Sequence, residues 1–292
     1  MLVLLLCLLW GGNIVSIKVA LAALPPLALA GLRFLFGGGA LLCWALGQRV
    51  PIRITRQELI PHLINTLLFV LQIGIMNIGV FYTLATRASV LFYVYPFFVA
   101  LLAHYFLHTE QLTLRKTGGM LLAFGGIVAV FSEKLQMSGV MLGDGAILLS
   151  AFLLGAQTIY ITRIARTIAP IRIVLWQCFL GVPLFFLLSL WWENGPTGPF
   201  SWPVLLAILY QGLIVAGFCY LTWTVLIRDY APSWVSSFFM STPLFGVALG
   251  ALLLGEPLSR NLLLGAVLVA TGLYVITRPE RQKRGVLAQQ KE

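Results

Sequence analysis

The chain has 292 residues, of which 60% are hydrophobic and 10% are charged, and its mean hydropathy is +0.97. Soluble globular domains carry about 25% charged residues, so a water-soluble domain is excluded. The formal net charge is +10, but the cations are dispersed over short segments without a folded basic platform, which argues against nucleic-acid binding. Apolar runs of about 20 residues, the length that crosses a ~30 Å hydrocarbon layer, follow one another throughout. The chain is therefore predicted to lie in a lipid bilayer.

Ten membrane-spanning helices are predicted in chain order, separated by turns that contain proline or glycine. They cover residues 2–22, 26–47, 59–81, 87–108, 115–132, 140–162, 170–192, 203–226, 231–254 and 259–277. The predicted fold class is thus an all-α polytopic membrane protein, with a basic tail at 279–292. The first segment is interpreted as an uncleaved helix and not as a signal peptide, because no basic region precedes it and Gly11-Gly12-Asn13 interrupts the apolar run.

The sequence also contains a tandem repeat. An offset of 147 places Pro96 on Pro243, and an offset of 144 places Gly11 on Gly155. We predict two five-helix repeats, at 1–135 and 139–278. Because five is odd, the second repeat would enter the membrane in the opposite orientation, and inverted repeats are typical of secondary transporters. The alternative is a duplicated membrane scaffold without transport.

Orientation is predicted from the distribution of lysine and arginine. One set of loops, together with the C-terminal tail, contains 14 of the 19 basic residues, and the opposite set contains only Arg87, Lys134 and Arg260. The remaining two, Lys18 and Arg33, lie inside predicted helices. Because basic residues concentrate on the cytoplasmic side, both termini are predicted to be cytoplasmic, in a multi-pass protein of the inner membrane.

Several short motifs add a family resemblance. They are Trp10-Gly11, Leu24-Pro25-Pro26 leading to Leu32-Arg33-Phe34, Gly143-Asp144, the run from Thr242-Pro243-Leu244 to Leu254-Gly255-Glu256-Pro257-Leu258, and Leu264-Gly265-Ala266 with Thr271-Gly272. On these motifs the chain resembles the drug/metabolite transporter superfamily, with two tandem EamA-type domains. The resemblance implies export of small metabolites, amino acids among them, by alternating access.

Candidate cargo-binding residues are polar or aromatic side chains within the predicted helices. Amides at membrane depth must be hydrogen-bonded, so they either bind cargo or join helices. Lys18 either holds an anionic group of the cargo, snorkels to the headgroups, or pairs with Asp144 or Glu256, and for Arg33 snorkelling or pairing is favoured. The candidates are Asn13, Lys18, Gln72, Asn77, Tyr82, Tyr93, Tyr95, Gln157, Tyr160, Gln211, Tyr220, Trp223 and Trp234.

Two prolines and four glycines are expected to set helix geometry. Pro96 and Pro243 are predicted to lie mid-helix, either as hinges beside the cargo path or as kinks that only shape packing. Two stripes of small residues, Gly118 with Gly125 and Gly265 with Gly272, are predicted to pack the fifth helix closely against the tenth.

The remaining patterns exclude other kinds of chemistry. No G-x-x-x-x-G-K-[ST] motif occurs, so ATP is not expected to drive the chain directly. The nine carboxylates are predicted in loops, at helix ends or in the tail, so facilitated diffusion or exchange is as well supported as proton antiport. No nucleophile, acid or metal set converges, which argues against an enzyme, a metal site and a cofactor. A homo-oligomer is left open.

Overall fold

The computed structural model describes residues 2–107, 113–132, 139–230 and 242–277. Within those ranges the chain forms helices and no strand. The helices are α1 (Leu2–Ala20), α2 (Pro26–Gly47), α3 (Arg56–Tyr82), α4 (Ala85–Phe92), α5 (Tyr95–Leu107), α6 (Leu114–Phe131), α7 (Val140–Ile164), α8 (Pro170–Trp192), α9 (Trp202–Asp229), α10 (Thr242–Leu254) and α11 (Arg260–Thr277).

Local sequence explains several helix starts. Proline occupies the first position of α2 and of α8, where its missing N–H costs no hydrogen bond and its fixed φ suits a helix. Thr55 and Glu58 form a capping box at the start of α3, which satisfies two backbone donors that the helix leaves free.

Six spans in the described part of the chain are long and apolar enough to cross a membrane. They are Pro26–Gly47, Arg56–Tyr82, Ala85–Phe106, Val140–Ile164, Pro170–Trp192 and Trp202–Asp229. Large apolar side chains such as Leu190, Trp191 and Leu252 are more than 80% exposed. Outward-facing apolar surface on long apolar helices is the arrangement of an integral membrane protein.

Helix pairs approach closely at glycines. A Cβ at Gly11 of α1 would lie 2.6 Å from Cβ of Phe245 in α10, and one at Gly155 of α7 would lie 2.9 Å from Cβ of Phe98 in α5. Helix α2 packs in the same way on α9, since a Cβ at Gly37 would lie 2.8 Å from the carbonyl oxygen of Gly212. The absent side chains let backbones approach each other.

The α6–α11 pair corrects one prediction. Gly265 and Gly272 of α11 contact α6 as predicted, but their partners are Gly126 and Gly119. A Cβ at Gly118 or Gly125 would meet no atom within 4 Å. Neighbouring residues on a helix point about 100° apart, so the packed face of α6 lies one residue beyond the predicted stripe.

Helix boundaries bring a further correction. The span predicted at 87–108 is interrupted at Tyr93 and Val94, so that Pro96 is the second residue of α5 and does not lie mid-helix. The helix predicted at 231–254 is described only from Thr242, because 231–241 lie outside the described residues, so the mid-helix position of Pro243 stays a prediction. Proline favours the first turn because it donates no backbone hydrogen bond.

Helix α9 contains a π-helical segment, Tyr210–Cys219, between two α-helical stretches. Wide turns of this kind are uncommon and often accompany functional sites. The segment brings Gly212 against α2 and ends directly before Tyr220, which is central to the site described next.

Candidate functional site

A central cavity lies where α1, α3, α7 and α9 meet the break between α4 and α5. It is lined by Trp10, Asn13, Met76, Phe92, Tyr93, Tyr95, Leu154, Tyr220 and Trp223. Five of the predicted candidates therefore converge here: Asn13, Tyr93, Tyr95, Tyr220 and Trp223. The open space measures about 40 Å³, and one water needs about 10–15 Å³ on the same measure.

Aromatic rings form the walls of the central cavity. Trp10 stands edge-on to Tyr220 and to Trp223, with ring centroids 6.0 and 5.7 Å apart, and Tyr95 stands edge-on to Trp223 at 6.3 Å. The hydroxyl of Tyr93 donates a hydrogen bond to the carbonyl oxygen of Trp10, 2.6 Å away. Such walls suit an apolar or aromatic side chain.

Asn13 supplies a polar group to the same cavity. Its side chain is 4% exposed, and its amide oxygen accepts no hydrogen bond from the part of the chain that the structure describes. A buried acceptor without a partner is unfavourable. A donor carried by a bound molecule could satisfy it.

Between α4 and α5, the regular backbone hydrogen bonding of the helix is interrupted at the wall of the central cavity. The N–H groups of Tyr93 and Val94 are 3.4 Å from the carbonyl oxygens of Ser89 and Leu91, respectively, which is long for a hydrogen bond. Pro96 has no N–H to continue the ladder. Tyr93 at this break lines the central cavity, together with its neighbours Phe92 and Tyr95.

Several other buried amides bond from helix to helix. Gln157 of α7 donates to the side-chain oxygen of Asn65 in α3 over 3.2 Å, and Asn65 donates to that of Gln177 in α8 over 3.0 Å. Gln72 of α3 donates to Ser150 of α7 over 2.9 Å. Gln72 and Gln157 therefore join helices here and do not line the central cavity. Asn65 was missed from the sequence, although it lies two turns before Gln72 on the same helix.

The remaining candidates are dispersed. Asn77 donates to the carbonyl oxygen of Pro26 over 2.9 Å, and Tyr160 donates to that of Pro61 over 3.3 Å. Tyr82 is 40% exposed, in a shallow surface depression beside Trp192. Gln211 is fully buried in the π-helical segment, and neither amide atom has a hydrogen-bond partner in the described ranges. Trp234 lies outside the described residues.

Lys18 bonds to the end of a helix. Its ammonium donates to the carbonyl oxygens of Val80, Phe81 and Thr83 over 2.9, 3.1 and 2.7 Å. These carbonyls lie at the C-terminal end of α3, where a cation complements the helix dipole. None of the alternatives raised from the sequence included this contact.

The same turn holds a buried ion pair between Arg87, predicted among the loop cations, and Asp144, predicted in a loop or at a helix end. Arg87 is in α4 and Asp144 in α7, and both are 1% exposed or less. They form a salt bridge, and Thr83 donates to the Asp144 carboxylate over 2.6 Å. The Glu256 carboxylate accepts hydrogen bonds from the backbone N–H groups of Ala85 and Thr86, both over 2.8 Å. We call Lys18, Thr83, Arg87, Asp144 and Glu256 the turn cluster.

We expect Lys18→Met to lower the free energy of unfolding by about 1.5–3 kcal/mol, the range for a lost hydrogen bond to a charged group. Because the ammonium contacts backbone carbonyls and does not line the central cavity, any loss of transport should be equal for carboxylated and neutral cargo. Denaturant unfolding in mixed micelles and flux into liposomes measure the two quantities. A selective loss for carboxylated cargo would instead place Lys18 in the cargo site.

No arrangement for a metal ion is present among the described residues, where no three His, Cys, Asp or Glu side chains are close enough to hold one. Cys7, Cys43, Cys178 and Cys219 form no disulfide with one another. The chemistry that the central cavity supports is reversible binding of a small amphipathic molecule.

Comparison with known proteins identifies the family and the fold. The model of the EamA-like transporter family matches residues 1–132 and 141–278. A probable amino-acid metabolite efflux pump of Salmonella typhimurium is 30% identical over 290 residues, which cover 94% of this chain and 93% of the relative. The uncharacterized transporter YoaV of Bacillus subtilis is 26% identical, with 92% and 93% covered. A solved crystal structure has the same fold, with a TM-score of 0.69 at 18% identity over 100% of this chain and 98% of its own.

Proposed function

The chain belongs to the EamA-like transporter family, and on that premise we propose that it exports a small amphipathic metabolite, such as an amino acid, by alternating access. The central cavity carries this proposal. It combines aromatic walls with one acceptor, the Asn13 oxygen, that has no partner among the described residues. Its open space measures about 40 Å³, and a movement of the surrounding helices would enlarge it for cargo. Relatives named as probable amino-acid metabolite efflux pumps support this class of cargo and its direction.

Ten membrane crossings in two inverted five-helix repeats, at 1–135 and 139–278, are part of the proposal. Two contacts support it. Gly11 approaches Phe245 as Gly155 approaches Phe98, and the repeat offsets of 144 and 147 carry Gly11 onto Gly155 and Phe98 onto Phe245. The first helix of each repeat thus packs against the fourth helix of the other repeat. With both termini and the 279–292 tail cytoplasmic, these two junctions would flank the cargo from opposite sides.

The position of Pro96 supports a hinge role. It lies two residues after the break at Tyr93 and Val94, beside side chains that line the central cavity, so bending there would change the shape of the cavity. Pro243 is proposed to serve the second repeat in the same way.

We expect purified protein in liposomes to accelerate the flux of at least one member of an amino-acid panel, and Asn13→Leu to slow that flux about tenfold. One lost hydrogen bond of about 1.4 kcal/mol gives such a factor. Replacing an unpartnered buried amide by an apolar group of similar size should not destabilise the fold. Initial rates with radiolabelled amino acids measure the effect.

Trp191→Ala is the matched control, because this side chain is 85% exposed on the apolar surface and lies outside the central cavity. Its flux should equal that of the wild type. If liposomes that contain the wild-type protein took up the amino acids no faster than protein-free liposomes, the transport proposal would be wrong. A membrane scaffold would then be the better interpretation.

A further inference from the structure

Arg33 is a fully buried cation in the eighth position of α2, with 0% of its surface exposed. This corrects the expectation that it snorkels to the headgroups or pairs with Asp144 or Glu256. Its guanidinium lies over the ring of Phe34, with the central carbon 4.5 Å from the ring centroid. The guanidinium group of an arginine keeps its charge even when it is buried.

No carboxylate in the described part of the chain compensates this charge. The five carboxylates there are all bound elsewhere: Glu58 to Arg172, Asp144 to Arg87, Glu193 to the N–H groups of Leu27 and Ala28, Asp229 to Arg228, and Glu256 to those of Ala85 and Thr86. Within the same ranges, none of the three guanidinium nitrogens makes a hydrogen bond. A buried cation left in this state is strongly unfavourable, so an anion that approaches it is attracted strongly.

Tyr220 separates this charge from the central cavity. It lines the cavity, and its side chain also interacts electrostatically with Arg33. Its ring packs edge-on against Phe34, the residue under the guanidinium, with centroids 5.8 Å apart, and against Trp10 of the cavity wall at 6.0 Å. One aromatic ring therefore stands between Arg33 and the open space.

We propose that Arg33 makes the Tyr220 wall the anion-binding end of the central cavity, so that the cargo is a small carboxylate with an apolar or aromatic body. This inference rests on the proposed transport function and specifies its substrate class. In a low-dielectric interior, an uncompensated charge acts across a single ring. The Tyr220 hydroxyl can donate to the carboxylate, and the Asn13 oxygen can accept from an amino group. A single cation matches a monoanion better than a phosphate dianion.

The test uses pairs of probes that differ only in the charge of one group. L-phenylalanine, L-leucine and L-methionine are each compared with the corresponding amide, as competitors of the flux observed in liposomes. We expect the wild type to prefer the acids by at least tenfold, Arg33→Met to lose this preference, and Arg33→Lys to retain part of it. Lys18→Gln is the matched control, since the Lys18 ammonium bonds to backbone carbonyls. In this variant, competition by the acids and competition by the amides should weaken equally.

A second measurement, of thermal stability, distinguishes the proposed role of Arg33 from a purely structural one. In the absence of ligand, Arg33→Met removes an uncompensated charge, so we expect its Tm to rise by about 2–4 °C or more. An arginine needed for packing would give a lower Tm. Equal handling of acids and amides by the wild type, survival of the preference in Arg33→Met, or a lower Tm of that variant overturns the inference. Flux without any preference for acids would contradict this inference but not the proposed transport function. A lack of any flux would contradict the transport function itself.

Discussion

Gly272→Ala is expected to lower the free energy of unfolding by about 3 kcal/mol, the upper end of the usual range for overpacking. The added Cβ would lie 2.5 Å from the backbone nitrogen of Ala123 and 2.5 Å from the carbonyl oxygen of Gly119. Both are backbone atoms of α6, so no rotamer change can relieve the contact and the α6–α11 pair must separate. Denaturant unfolding in mixed micelles and the monodispersity of the purified protein measure the effect.

Gly125→Ala is the matched control for this substitution. It makes the same chemical change on α6, but the new Cβ meets no atom within 4 Å, and alanine is the better helix former. We expect stability equal to that of the wild type or above it. If the two variants were equally stable, the close α6–α11 contact would be wrong, and the stripe at Gly118 and Gly125 would again be a candidate.

The glycine contact also shows where sequence reasoning ends. Helix existence and many boundaries follow from local chemistry: the predicted spans 26–47 and 170–192 coincide with α2 and α8, because a proline starts each one. The face that a uniformly apolar helix buries does not follow in this way. Hydrophobic residues surround α6 on all sides, so the pattern could not choose between Gly118 and Gly119.

The candidate site was predictable only in part, for a related reason. Aromatic residues such as Tyr95 and Trp223 were correctly placed inside helices, and the structure brings them together. Buried amides carry the same sequence signal whether they face a cavity or a neighbouring helix. Asn13 faces the cavity, while Gln157 is bonded to Asn65. Only the positions of the partner helices distinguish the two cases.

Charged residues near helix ends were the least predictable. Asp144 is the fifth residue of α7 and Arg87 the third of α4, positions that in most proteins reach water. Here the turn between α3 and α4 is covered by α1, α7 and the segment after α10, which contribute Lys18, Asp144 and Glu256. Burial by three distant segments leaves no signal in the local sequence.

Asp144→Asn is expected to lower the free energy of unfolding by about 3–5 kcal/mol, because it removes the carboxylate charge from a buried ion pair. The single substitution removes one member of a pair whose side chains are 1% and 0% exposed. Transport should fall with stability. The turn cluster anchors the start of α4, and α4 is only eight residues long, so a displaced start shifts the cavity-lining break at its other end.

The double variant Arg87→Met, Asp144→Leu separates stability from transport. Replacing a whole buried pair by apolar side chains is often neutral or stabilising, so the double variant should regain most of the lost stability. If the pair only holds the fold, flux should recover as well; if the pair must open and close during transport, flux should stay low in a stable protein. Asp229→Asn, in a pair that is 40% and 42% exposed, should change neither quantity. An Asp144→Asn protein as stable as the wild type would show that the buried pair does not hold the α3–α4 turn.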